Sequence, residues 1–154
     1  MSSRSKARKA ALDLLYESDI RKSSAADLLL KRVTEMEYEV REFTKELIEG
    51  IELNKRKIDE LIATYAQGWD MDRMPVLDRN ILRLSIFELL WSKSVPEAVA
   101  ISEALELAIN SSIFRLFNSI PSINSFVNSL ASYSISVTLF NSKSAALLFR
   151  ISLS

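Results

Sequence analysis

The chain contains neither cysteine nor histidine, only two glycines and three prolines, and no aspartate or glutamate after residue 110. Each shortage closes a class of chemistry. Without cysteine there are no disulfides and no thiolate metal sites, a composition that fits a reducing compartment. Without histidine as well, the common zinc, haem and Ser-His-Asp centres have nothing to be built from. Gly50 and Gly68 alone cannot form the glycine-rich phosphate loop of dinucleotide or P-loop nucleotide binders. Asp70 and Asp72 superficially resemble the start of a calcium loop, but its glycine and later glutamate are missing, and a helix-start role for Asp72 fits better. No apolar run reaches the length of a membrane span, and the basic start, Met1 to Ala10, is not followed by the apolar region of a signal peptide. The expectation is a cytoplasmic protein with no membrane association, no cofactor, no metal and no catalytic residue set.

What remains is helix. At 154 residues the chain fits one domain able to bury a core without staples. Ala7, Ala10, Ala11, Leu14 and Leu15 make an apolar stripe that predicts a first helix over about Ser5 to Glu17. Ser24 to Asp27 has capping-box form ahead of Leu28 to Met36, a second helix. Val40, Phe43, Leu47 and Ile51 mark a third, with Gly50 inside it, where glycine costs about 1 kcal/mol and close packing is the reason to keep it. Asn54 is placed to cap a fourth, carrying Ile58, Leu61, Ile62 and Tyr65. From Arg73 to Ser92 the apolar residues lie nearly all round the wheel, so this helix should be buried. Asp78, Arg79, Arg83 and Glu88 are set into it, and Arg83 and Glu88 are expected to join a buried or half-buried polar network. Pro96 then opens a helix to Asn110. The fold class is all-α.

Charge is balanced overall but uneven along the chain. Arg4, Lys6, Arg8 and Lys9 crowd the start with no acid among them. Positive charge opposes the macrodipole at a helix N-terminus, so the cluster reads either as a site for an anionic ligand such as RNA phosphates or as a solvated, frayed end. Beyond Asn110 serine and asparagine become frequent. Apolar positions still recur at helical spacing up to Leu130, with Pro121 as a break, and from Tyr133 the period falls to two. That last part reads as a hairpin, an unpaired apolar tail or a serine-rich helix.

The segments ARKAALDLLYESD, MPVLDRNILRLSIFEL and VPEAVAISEALELA, the spacing from Ile58-Asp59 to Trp69, and SFVNSL at Ser125 to Leu130 occur in the order found in the NusB family of bacterial transcription antitermination factors, which the chain resembles over about Ser5 to Leu130. The resemblance implies a compact bundle of about seven helices in two small sub-bundles, without enzymatic activity. It divides the chain into a helical RNA-binding domain, 1–130, and an atypical serine-rich apolar tail, 131–154. It implies binding of boxA-type single-stranded RNA together with NusE, a small-subunit ribosomal protein, within the transcription elongation complex. RNA contacts carry over to Arg4, Lys6, Arg8 and Lys9 and, from the FVNG-containing helix, to Phe126 and Asn128, an aromatic and an amide suited to stacking and base-edge hydrogen bonding. Partner contacts carry over to Tyr16, Tyr65 and Asp78. The chain departs from the family at Ser129, where a glycine is usual, at Ser125, where a lysine is usual, and in the loss of the acidic segment and lysines after Ala108. A rival class is the cytosine-5 rRNA methyltransferase that carries this fold at its N-terminus, but its cofactor loop and cysteines are absent from this sequence. Another is a protein-interaction module that self-associates, for instance as a homodimer, with weakened RNA binding.

Overall fold

The hydroxyl of Ser2 accepts the backbone N–H of Ser5 at 3.0 Å and starts the first helix, α1 (Ser3–Arg21), two residues earlier than its apolar stripe indicates. The computed structural model describes residues 2–35, 39–66 and 70–110. Lys22, at φ 54°, ends α1 in the left-handed conformation, and the Lys22 and Ser23 N–H groups both turn back to the Ser18 carbonyl. The helix α2 (Ala25–Glu35) is capped from two sides. Ser24 Oγ accepts the Asp27 N–H, while Glu52, from the next helix, accepts the Ala25 N–H at 2.8 Å and the Ser24 hydroxyl at 2.9 Å.

Residues expected to form two helices form one, α3 (Glu42–Tyr65). Asn54 does not cap a new helix: its side-chain amide donates to the Gly50 carbonyl one turn back, at 2.9 Å, and the helix runs on. Leu47, Ile51, Ile58 and Ile62 are all buried on one continuous face, so burial of the whole stripe outweighs the local capping preference of asparagine. Asp72 likewise does not start a helix. Asp70 organises the turn, its carboxylate accepting the Asp72 N–H and its carbonyl those of Arg73 and Met74. Pro75 disfavours helical geometry at Met74, so α4 (Val76–Leu90) begins only after it. Pro96 stands just ahead of α5 (Glu97–Asn110), its carbonyl accepting the Val99 and Ala100 N–H groups.

The arrangement is all-α, and α4 is its axis: α1, α3 and α5 pack around it, and α2 lies against α1 and α3. Asn80 to Leu89 are all buried, as the all-round apolar pattern requires. The described residues hold five helices; the remainder of the expected seven, and the 131–154 tail, lie outside them. Among the described residues no helix is long and apolar enough to cross a membrane.

Gly50 is where α3 meets α4. A Cβ built there would run into the ring of Phe87, which is stacked on Trp91. Gly50→Ala is therefore expected to destabilise the fold by about 1–3 kcal/mol, overpacking exceeding the gain of about 1 kcal/mol in helix propensity. Urea denaturation would measure this, and Phe87→Leu in the same chain should restore part of the loss. A neutral Gly50→Ala would show that the ring yields freely.

Candidate nucleic-acid interface

The basic cluster at the start of α1 separates into two faces. Arg4 and Arg8 share the inward side with Ala11 and Leu15, at spacings of four, three and four residues, whereas Lys6 and Lys9 are exposed on the opposite side. Arg8 is buried, 1% exposed, and its guanidinium is fully engaged. Nε and Nη2 donate to the Glu88 carboxylate of α4 at 2.8 and 2.7 Å, and Nη1 lies 3.2 Å from Glu103 of α5. Ser5 Oγ donates to Glu103 as well, at 3.1 Å. Burial alone would lower the Arg8 pKa, but the hydrogen bonds and charges of Glu88 and Glu103 hold it above the ordinary guanidinium value. Burial pushes the Glu88 carboxyl above the usual range, against the pull of Arg8. The expectation that Arg8 touches RNA is thus corrected: its donors are spent inside the protein, tying α1 to α4 and α5.

Arg4 behaves differently. It is exposed, its guanidinium lies 5.0 Å from the centre of the Phe43 ring of α3, and Nη1 donates to the Ser94 carbonyl at 2.8 Å. Arg8 lies against the same ring, at 5.3 Å. The apolar pattern marks Phe43 only as core. Its contact with both guanidinium groups shows once Arg4 and Arg8 are placed on the inward side of α1.

The exposed side of α1 is graded along its length. Lys6, Lys9, Asp13, Tyr16 and Ile20 succeed one another at three- and four-residue spacing and are all exposed, Tyr16 by 38% and Ile20 by 58%. The stripe is basic at one end and apolar at the other, with Asp13 between. Tyr16 stands where a partner can meet it, Tyr65 is half-buried against the core, and Asp78, in the first turn of α4, is buried at 6% exposure. The resemblance implies a surface carboxylate at Asp78; the packing of α4 puts it inside. Phe126 and Asn128 lie outside the described residues.

Behind the apolar end is a second polar cluster. Arg83 meets Asp59 of α3 at 2.7 and 3.0 Å and Asp19 of α1 at 2.9 Å, and Asp19 also accepts from Arg79 and Asn80 at 3.1 Å each. This is the polar network expected around Arg83, with Glu88 serving the other one. The two clusters have opposite polarity. Near the start of α1 a base on α1 meets an acid on α4, and near its end an acid on α1 meets bases on α4. Reversing one helix would bring like charges together and sliding it would leave buried charges unpaired, so the pair of clusters fixes the antiparallel register of α1 on α4.

The profile that defines the NusB family matches residues 5–120 of the chain. The chain belongs to the NusB family. It is 48% identical over 107 residues to the transcription antitermination protein NusB of Nocardioides sp., covering 70% of this chain and 79% of that protein. The fold is similar to that of T. maritima NusB, with a TM-score of 0.71, 28% identity and 85% and 92% of the two chains covered. It is also similar to a chain of the crystal structure of a plectonemic RNA supercoil, with a TM-score of 0.73, 25% identity and 88% and 98% covered. Among the described residues no group of histidines, cysteines or carboxylates is arranged to hold a metal ion.

Proposed function

We propose that this NusB-family chain is a transcription antitermination adaptor that binds boxA-type single-stranded RNA with the basic end of α1 and the ribosomal protein NusE with its apolar end, as part of the transcription elongation complex. The observation that carries this reading is the graded stripe from Lys6 and Lys9 through Asp13 to Tyr16 and Ile20. Family membership and the antitermination role of its relatives support the biological setting, and the likeness to a chain from an RNA crystal structure supports the ligand class. Lys6 and Lys9 neutralise phosphates, and Arg4 adds a contact from the other side of the helix. Phe126 and Asn128 add stacking and a base-edge contact from the C-terminal part. Tyr16 and Ile20 supply the apolar contact to NusE and Tyr65 its exposed portion, while Asp78 acts from beneath, as an acid favouring the first turn of α4. The role is that of an adaptor rather than a catalyst, in the cytoplasm where transcription occurs.

The test is RNA binding across a salt series, with and without NusE. Lys6→Ala with Lys9→Ala should weaken binding to a boxA-type oligonucleotide and reduce the slope of log affinity against log salt by about 0.7 for each phosphate no longer neutralised, hence about 1.4 for the pair. Tyr16→Ala should leave binding by the free protein intact and abolish the gain that NusE provides. Unchanged affinity and slope in the lysine pair would remove α1 from the RNA site. A homodimer that neither RNA nor NusE dissociates would put self-association in place of the adaptor role.

A further inference from the structure

We infer that the guanidinium of Arg4, laid on the ring of Phe43, is a preformed stacking platform for one unpaired nucleobase; this rests on the proposed RNA-binding role and specifies how one base is held. Arg4 differs from Lys6 and Lys9 in being fixed. Its guanidinium carbon lies over the Phe43 ring, 5.0 Å from the centroid. Its edge is tied to the Ser94 carbonyl at 2.8 Å, between α4 and α5. The residue nevertheless remains exposed, so the held side chain is open to a ligand. Phe43 cannot retreat, because it packs against the buried core and Arg8 lies on the same ring, pinned by Glu88 and Glu103.

A cation that only neutralised phosphate would gain nothing from this arrangement. A flexible lysine, such as exposed Lys6 or Lys9, does that equally well. A held, planar, weakly hydrated guanidinium suits a flat ligand, and bases of single-stranded RNA stack on arginine planes as they do on aromatic rings. The cost of ordering the arginine side chain has already been met within the folded protein, which favours binding. Lys93, next to Ser94 in the chain, is exposed and can hold the backbone that carries the base. The ligand is therefore a single-stranded ribonucleotide segment with at least one unstacked base.

Arg4→Lys separates plane from charge. On a boxA-type RNA oligonucleotide, affinity should fall by about tenfold, the size of one stacking interaction, while the salt slope stays that of the parent because the charge is kept. Phe43→Leu, which keeps an apolar side chain beneath Arg4, should give a smaller loss of the same kind. A series of oligonucleotides with a single abasic site at each position in turn locates the base: at one position the penalty of Arg4→Lys should vanish. The Lys6 and Lys9 double variant serves as the control for RNA binding by α1. If that control loses affinity and slope while Arg4→Lys binds like the parent, the platform is wrong and the RNA-binding role survives. If Arg4→Lys weakens all abasic oligonucleotides equally, Arg4 holds backbone and not a base. If neither the control nor Arg4→Lys changes binding, α1 is not part of the RNA site, and the platform fails with that placement.

Discussion

Replacing Arg8 with methionine is expected to lower stability by about 3–5 kcal/mol, because it leaves two carboxylates facing each other inside the protein with no cation between them. Arg8 and Glu88 are each 1% exposed, and Glu103 completes the group from α5. A domain of this size has about 5–15 kcal/mol of stability in all, so the variant should unfold at a much lower urea concentration, read by helical circular dichroism. The loss belongs to the stranded acids rather than to any large net gain from the ion pair. Accordingly, Arg8→Met combined with Glu88→Leu should recover much of the stability. The pH dependence gives an independent check. Burial raises the Glu88 pKa in the folded state, so the folded chain holds this proton more tightly than the unfolded chain does, and stability falls as the pH rises from the unfolded pKa to the folded one. Removing Arg8 removes the counter-pull, so the deficit of Arg8→Met should shrink as the pH is lowered toward and through the carboxylate range. A deficit that is small, or constant with pH, would mean that the group is not held as the structure has it.

Much of this arrangement is legible in the sequence, and the places where pattern and structure part have common physical causes. The all-round apolar character of α4 announces its burial, and charges at Arg83 and Glu88 on such a helix have to be paired. At Asn54 a local rule is set against a longer one. Asparagine favours helix starts, but Leu47, Ile51, Ile58 and Ile62 keep one phase across it, and burial of that stripe decides. At Arg8 a basic cluster that looks like one surface is divided between two. Its three-residue spacing to Ala11 and seven-residue spacing to Leu15 place it on the buried side, a signal present in the sequence that its charge obscures. Phe43 carries no such signal. Its position beneath Arg4 depends on how α3 crosses α1, and local periodicity does not encode that crossing.

Arg83→Met should cost a further amount of similar size, about 3–5 kcal/mol, at the other end of α1. Arg83 is 5% exposed and joins three helices through Asp59 and Asp19; without it Asp19 keeps only Arg79 and Asn80, and Asp59 loses its bidentate partner. Burial alone would raise the Asp19 pKa, but the charge of Arg83 and the bonds from Arg79 and Asn80 hold it below its ordinary 3.8. A carboxylate depressed in the folded state adds stability that is complete above its unfolded pKa and is lost as the pH falls through the folded one. The parent protein should therefore lose stability below about 3.8 partly through Asp19, and Arg83→Met should lose that component and show a flatter acid limb. Under the proposed assignment of the two ends of the α1 stripe, the two arginines also separate functionally, because each cluster lies behind a different end. In conditions where both variants remain folded, loosening Asp19 displaces Tyr16, one turn away, so Arg83→Met should weaken NusE binding more than RNA binding. Loosening Arg8 displaces Lys6, Lys9 and the Arg4 contact on Phe43, so Arg8→Met should do the reverse. Equal losses of both ligands in both variants would show that α1 moves as one rigid rod, and that the two clusters fix its register without separately positioning its ends.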